Sequence, residues 1–262
     1  MLPPRSRDPA IPRMRPRGDP PGEQICFCGE HQPVMADPSP NPPEFAVMSP
    51  AAFAPLNGLP GVAALARDAS WRLLWCNRFY AQLCGMEESE LLGTTMAEYM
   101  PAELAEEREA QMKPARDHGK LVAYYQLWHG SRWFTRIWPL DPEAYGTRGV
   151  FVIIQSMAQD RTVHHHDSAH DATVLSTSEM AELNVLSHRE LEVFYHIARG
   201  LTSAEIALLL YRSTRTIEQH ANQIYKKLGM TSRAQLTKFA VERGIVAFSP
   251  EDWSRIIASR SD

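Results

Sequence analysis

The sequence predicts a multidomain chain in which an α+β domain precedes an all-α, four-helix domain, and three observations carry that reading. Its 262 residues exceed one ordinary domain of roughly 100–200 residues. Residues 61–157 alternate short apolar runs with turns, in the order strands, helices, strands. From Leu186 onward apolar residues recur at three- and four-residue steps, and four helical segments follow in quick succession. A hydrophobic fraction of 44% beside 22% charged residues is a globular balance, so much of the chain can bury a core.

Residues 1–55 read as a disordered Pro-rich tail. Thirteen of the 20 prolines fall in residues 1–50, a stretch without hydrophobic period that repeatedly loses backbone donors. Cys26, Cys28, Cys76 and His31 suggest a metal, but Cys-x-Cys spacing without a second ligand pair is weak, and no metal is expected. Four cysteines make no disulfide framework in a chain this long, which points to a reducing compartment. Neither an apolar run of about 18 residues nor an apolar stretch behind the Pro/Arg-rich start occurs, so no membrane span and no signal peptide are expected, and the expected location is cytoplasmic.

Residues 56–158 make the α+β domain. The run 61–67 reads as a strand, 68–70 as a turn and 71–76 as its hairpin partner. Asn77 caps a helix through Cys84, its side chain accepting from the free first-turn amides, and Gly85 stops it. Polar helical segments follow at 86–92 and 101–116. Strands at 121–128, 132–140 and 149–156 close the domain, with turn chemistry at 141–146. Residues 159–182 read as a solvated linker whose His164, His165, His166 and His170 lack a preset geometry for metal.

Residues 183–248 make the helical domain, followed by a short helix or tail at 249–262. Ser187-His188-Arg189-Glu190 has the form of a capping box, which starts a helix over 188–199 that Gly200 ends. Leu191, Phe194, Tyr195 and Ala198 give it one buried face. A short helix over 203–210, with Thr202 or Ser203 as cap, and a third from Ser213 to Leu228 make a helix-turn-helix. On the third helix Ile217, Ala221, Ile224 and Leu228 cluster on one side, and Arg215, Gln219, Asn222 and Lys226 fall opposite. That face offers amides able to read base edges, flanked by cations able to meet phosphates. Periodicity alone leaves open a solvated polar face on an ordinary small bundle. Charge separates along the chain in the same sense. Residues 185–247 carry nine Lys or Arg against five Asp or Glu, while the remainder carries 18 against 26.

Two resemblances sharpen this. The stretch 186–193, Ala198-Arg199-Gly200, Glu205-Ile206-Ala207, 213–217, His220 and 227–233 together resemble the LuxR-type helix-turn-helix signature, in order and without a gap. Ala66-Arg67-Asp68, 75–79, Gly85 and 90–93 are similar to the pattern that opens many PAS domains. The resemblance implies a PAS-like sensor or dimerisation domain ahead of a LuxR-type domain whose third helix enters the major groove of double-stranded DNA. Gln219 and Asn222 would stand where the family reads bases, and Thr216, Lys226 and Lys227 would hold the backbone. The full set expected at DNA is Ser203, Thr214, Arg215, Thr216, Glu218, Gln219, Asn222, Gln223, Lys226 and Lys227. The last helix, 233–243, would supply a homodimer contact. Glu218 departs from a common Lys: a carboxylate there repels phosphate or accepts from a cytosine amine. Leu186-Ser187 replaces the commoner Leu-Thr and keeps the hydroxyl cap. His220, on the flank between the two faces, reads as structural or backbone-contacting.

The resulting expectation is a sequence-specific transcriptional regulator, not an enzyme, since no phosphate loop, nucleophile motif or receiver-like acidic cluster is present. An unidentified small molecule in the PAS-like domain and RNA polymerase are further expected partners. No cofactor is expected. His118 and His129 sit in no haem motif, and Cys76-Asn77-Arg78-Phe79 reverses the order of the flavin photochemistry motif. A protein-interaction adaptor and a sigma-factor-like domain are the alternatives. The lysine pair and the uncharged amides argue against the first. The second lacks a preceding polymerase-binding helical region.

Overall fold

A computed structural model of the chain describes residues 50–157 and 172–260. Cys26, Cys28 and His31, and His164, His165, His166 and His170, lie outside the described residues. Residues 50–55, assigned to the tail, belong to a 3₁₀ segment, Pro50–Gly58. Its Phe53 is buried because it stacks on Phe151 at 5.1 Å and packs on Trp75 at 4.9 Å, an aromatic contact across the sheet's outer face.

Strands β1 (Val62–Asp68) and β2 (Leu73–Cys76) pair antiparallel. Asp68 closes their turn, its Oδ1 accepting from the amides of Ser70 and Arg72 at 2.8 Å. Asn77 is fully buried and uses both ends of its amide. Its Oδ1 accepts from Ala64 N and Tyr80 N at 3.0 Å, and its Nδ2 donates to Leu56 O at 3.0 Å and Val62 O at 2.9 Å. It therefore caps α1 (Arg78–Cys84), as its place before an apolar run predicts, and also ties that helix to β1. Gly85 ends α1 in the left-handed region. The short α2 (Glu88–Leu91) and the long α3 (Ala102–His118) follow.

The sheet then continues through β3 (Val122–Trp128), β4 (Ser131–Leu140) and β5 (Gly149–Ser156). The segment read as a plain turn holds a one-turn helix, α4 (Pro142–Tyr145), because Asp141 caps the Glu143 amide at 2.9 Å and Pro142 pre-sets the first helical residue. With a sixth strand, β6 (Thr173–Val174), the order is β2-β1-β5-β4-β3-β6. Registers Leu65↔Val152 and Ile137↔Val152 set one apolar row across three strands, which with Ala105, Met112 and Ala115 of α3 makes the first core. Gly149 is required where it stands: a Cβ there would run into the Arg67 carbonyl.

The sixth strand corrects the linker reading. Thr173–Val174 forms β6, parallel to β3, and Leu175 and Met180 are buried. Part of the segment read as linker is thus sheet, and Glu107 of α3 clasps the residues just after the strand. Its carboxylate accepts from Ser176 N at 2.9 Å, Ser176 Oγ at 2.7 Å, Thr177 N at 2.8 Å and the Thr177 hydroxyl. Composition could not reveal this, because the partners lie about 70 residues apart.

The helical part comprises α5 (His188–Ala198), α6 (Ser203–Leu209), α7 (Thr214–Lys227), α8 (Arg233–Glu242) and α9 (Pro250–Ala258). Each begins behind a hydroxyl cap, Ser187, Thr202, Ser213, Ser232 or Ser249, that accepts an amide of its own first turn. The C-terminal segment is not an appendage. Trp253 of α9 is buried, stacks on Tyr195 at 5.4 Å and donates to Leu191 O at 3.2 Å, while the Tyr195 hydroxyl donates to Phe248 O at 2.7 Å. Leu127 of β3 joins this core, and Arg132 N donates to Arg243 O at 2.7 Å. Gly244 has φ +69° at this junction, and a Cβ there would stand 3.2 Å from that of Arg132.

Glu190, all but buried on α5, completes the capping box with Ser187 and accepts from Lys227 Nζ at 2.6 Å. Burial raises its pKa, but the Lys227 ammonium and the Ser187 amide and hydroxyl hold it below the ordinary carboxylate range.

Trp253→Ala is expected to cost the helical domain about 3–5 kcal/mol, read as a lower denaturant midpoint by far-ultraviolet circular dichroism; an unchanged midpoint would make α9 dispensable. A depressed carboxylate stabilises above its unfolded pKa and loses that contribution as pH falls through the folded value. Glu190→Gln should therefore lower stability at pH 7 by roughly 1–2 kcal/mol, and by less below pH 4, measured as denaturant midpoints at the two pH values.

Candidate nucleic-acid interface

Helix α7 is amphipathic by sequence, and the fold uses that pattern. Ile217, Ala221 and Ile224 are buried against α5 and α6. Gln219, Asn222, Gln223 and Lys226 are left exposed on the opposite side, with Thr214, Arg215 and Glu218 also exposed and Thr216 half-buried. The first turn carries no acidic residue, so its free amides and dipole keep their positive character. Ser213 fixes that turn, accepting from Thr216 N at 3.1 Å, with its hydroxyl 2.8 Å from that of Thr216.

Helix α6 stands before it on a tight turn. Thr202 is its N-cap, and a reciprocal pair links Thr202 N to Glu205 Oε2 at 2.7 Å and Glu205 N to the Thr202 hydroxyl at 3.3 Å. Ser203 is therefore the first helical residue, half-buried, and not the cap. In the turn Tyr211 takes φ 52°, the left-handed region, and Arg212 N donates to Ala207 O at 2.9 Å. A bulky residue in that region costs backbone strain unless its surroundings determine it. The helix pair packed on both sides of the turn supplies that constraint.

Nine of the ten residues expected at DNA therefore lie on α7, eight of them exposed and Thr216 half-buried, and Ser203 starts the neighbouring helix. Lys227, expected at the DNA backbone, is exposed and its ammonium is also bonded to Glu190, which ties α7 to α5. The signal for that pairing is not local, because 37 residues separate the partners. Arg215 and Lys226 make no ion pair among the described residues and remain open cations. Sequence reasoning also missed the exposed side chains of Leu208, Leu209 and Tyr211 beside this surface. It missed Arg233 as well, whose guanidinium donates to Leu201 O and to Ile197 O at 3.4 Å, fixing α8 on the end of α5. His220 is half-buried on the flank of α7.

In the α+β domain, His118 is exposed at the end of α3, and His129 pairs with Glu179 at 3.0 Å. Neither lines the domain's internal cavity. Among the described residues no group of three or more His, Cys, Asp or Glu is arranged to hold a metal ion. None of the described helices is long and apolar enough to cross a membrane.

Comparison with known proteins agrees with this division. Residues 184–240 match the family described as bacterial regulatory proteins, luxR family, and residues 56–162 match the PAS fold. Oxygen regulatory protein NreC of Staphylococcus aureus is 39% identical over 64 residues, 24% of this chain, and the chain spans only 30% of that protein. Among solved structures, the Vibrio cholerae VqmA–ligand–DNA complex is 21% identical, covering 77% of this chain and 91% of that one, with a TM-score of 0.44. The PAS domain of Bordetella pertussis BvgS is 20% identical over 41% of this chain and 84% of that one, with a TM-score of 0.34. The chain thus carries a luxR-family helix-turn-helix domain over residues 184–240, preceded by a PAS-fold domain over residues 56–162.

Proposed function

We propose that the chain is a sequence-specific DNA-binding transcriptional regulator, not an enzyme, in which the PAS domain senses a signal or mediates dimerisation and the luxR-family domain binds duplex DNA. The observation that carries this is the outward face of α7. Gln219 and Asn222, exposed together, present donor and acceptor amides of the kind that pair bidentately with adenine N6 and N7. Arg215 and Lys226 flank them as phosphate contacts, and Thr214, Thr216 and the α6 end at Ser203 add backbone hydrogen bonds. Gln223 lies beside Asn222 at the edge of the same face. Glu218 accepts from a cytosine amine or excludes a phosphate. Lys227 adds a backbone contact, while its bond to Glu190 holds α7 to α5.

One helix of this length reads few base pairs, so the reading includes a homodimer on two half-sites. Helix α8 supports it, because Ala234, Lys238 and Val241 are exposed at i, i+4 and i+7. Such a regulator works where the DNA is, in the cytoplasm, and RNA polymerase is its natural further partner.

With a binding site selected from random duplexes, Asn222→Ala is expected to lose roughly 1–3 kcal/mol of discrimination at one base position. Lys226→Ala should weaken every sequence alike and reduce the salt slope by about 1. Equal losses on selected and random DNA for both variants would contradict base reading by Asn222.

A further inference from the structure

The PAS core contains two buried arginines that no carboxylate pairs among the described residues. Arg67 on β1 is fully buried and Arg108 on α3 is 5% exposed. Both line one internal cavity of about 20 Å³, room for a single water-sized molecule. Arg67 Nη1 donates to Trp71 O at 2.6 Å and Thr94 O at 3.2 Å, and Nη2 reaches the hydroxyls of Tyr80 and Tyr99. Arg108 Nε donates to Gln126 Oε1 at 2.9 Å and Nη1 to Leu104 O at 3.2 Å. Arg67 Nε and Arg108 Nη2 are buried and have no partner among the described residues.

Neither arginine forms an ion pair among the described residues. Burial pushes the Tyr80 and Tyr99 phenols above their ordinary range, and lifts the Cys84 thiol to about 11, so all three are neutral at physiological pH. Glu109 and Glu179 feel the guanidiniums electrostatically, but neither is within ion-pair distance of them. Two buried cations without a counter-ion are costly, and such groups are held in proteins by pairing. Tyr80, Tyr124 and Gln126 also line it, and the rest of the wall is apolar, with three methionines, Met96, Met100 and Met112. Methionine side chains re-pack easily, which lets a small cavity open around a guest.

We infer that this cavity binds a short-chain monocarboxylate, its carboxylate taken by the unpartnered nitrogens of Arg67 and Arg108 and its alkyl tail by the methionine and aliphatic wall. Charge selects an anion, and the apolar wall selects an organic tail over a bare inorganic oxyanion. The inference rests on the sensor reading of the PAS domain and gives that sensor a ligand class.

The test is thermal melting of the full chain with sodium propionate, against its neutral isostere propionamide, sodium phosphate, and sodium chloride at matched ionic strength. Propionate is expected to raise Tm by about 3–5 °C for each tenfold increase beyond saturation, with no comparable rise from the other three. Arg108→Gln should flatten that response and Arg108→Lys should keep part of it. If Arg108→Gln does not fold, the wild-type comparison still decides. Equal shifts from propionate and propionamide, a phosphate shift as large as that of propionate, or no shift in folded protein would each overturn the inference. Gel shifts on the same preparation separate the two readings. DNA binding without a propionate response sinks only the ligand class. A propionate response without DNA binding sinks only the regulator.

Discussion

The one-sided burial of α7 is the constraint from which the rest of the helical domain follows. Ile217, Ala221 and Ile224 cannot be withdrawn from the core without opening a cavity against α5 and α6, and such openings cost several kcal/mol in a domain of marginal stability. Because a helix turns its residues through a fixed angle, fixing three side chains inward fixes Gln219, Asn222 and Lys226 outward. The Ser213 cap sets where the helix starts, and the Lys227–Glu190 pair sets how its far end lies on α5. Rotation of the outward face is therefore restrained at both ends and in the middle.

What was readable in the sequence was what is decided locally. The Ser187 capping box, the Thr202 cap, the helix start behind Ser213, the Asn77 cap with Gly85 behind α1, and the apolar periods of α5 and α7 are all settled within a turn or two of chain. What was not readable depends on partners distant in sequence. Strand β6 has only two paired residues, Thr173–Val174, and its ladder partners are Tyr124 and Tyr125. Residues 249–262 read as a short helix or a tail, and only the packing of Trp253 on Tyr195 makes α9 part of the core. Lys227 looked like an open cation until the fold brought Glu190 to it. In the candidate interface, periodicity placed Gln219 and Asn222, and only the tertiary structure separated the open Arg215 and Lys226 from the bonded Lys227.

The two domains share more than a chain connection. Glu107, which clasps Ser176 and Thr177, is the neighbour of Arg108 on α3, so the helix that lines the PAS cavity also holds the segment leading to α5. Burial works against ionisation of Glu107, but the bonds from Thr177 and Ser176 outweigh it and keep its pKa low. The junction continues in Arg132, whose guanidinium lies over Tyr125 of β3 and Phe248 of the helical core. A guest that moved α3 would act on this junction by a short mechanical route, a contiguous packed path of the kind that carries energetic coupling.

The most direct measurement is a structure of the full chain on a selected DNA site. The side-chain amides of Gln219 and Asn222 are expected about 3 Å from base edges in the major groove, with Arg215 and Lys226 at flanking phosphates. A complex in which α7 faces solvent and another element enters the groove would contradict the assignment.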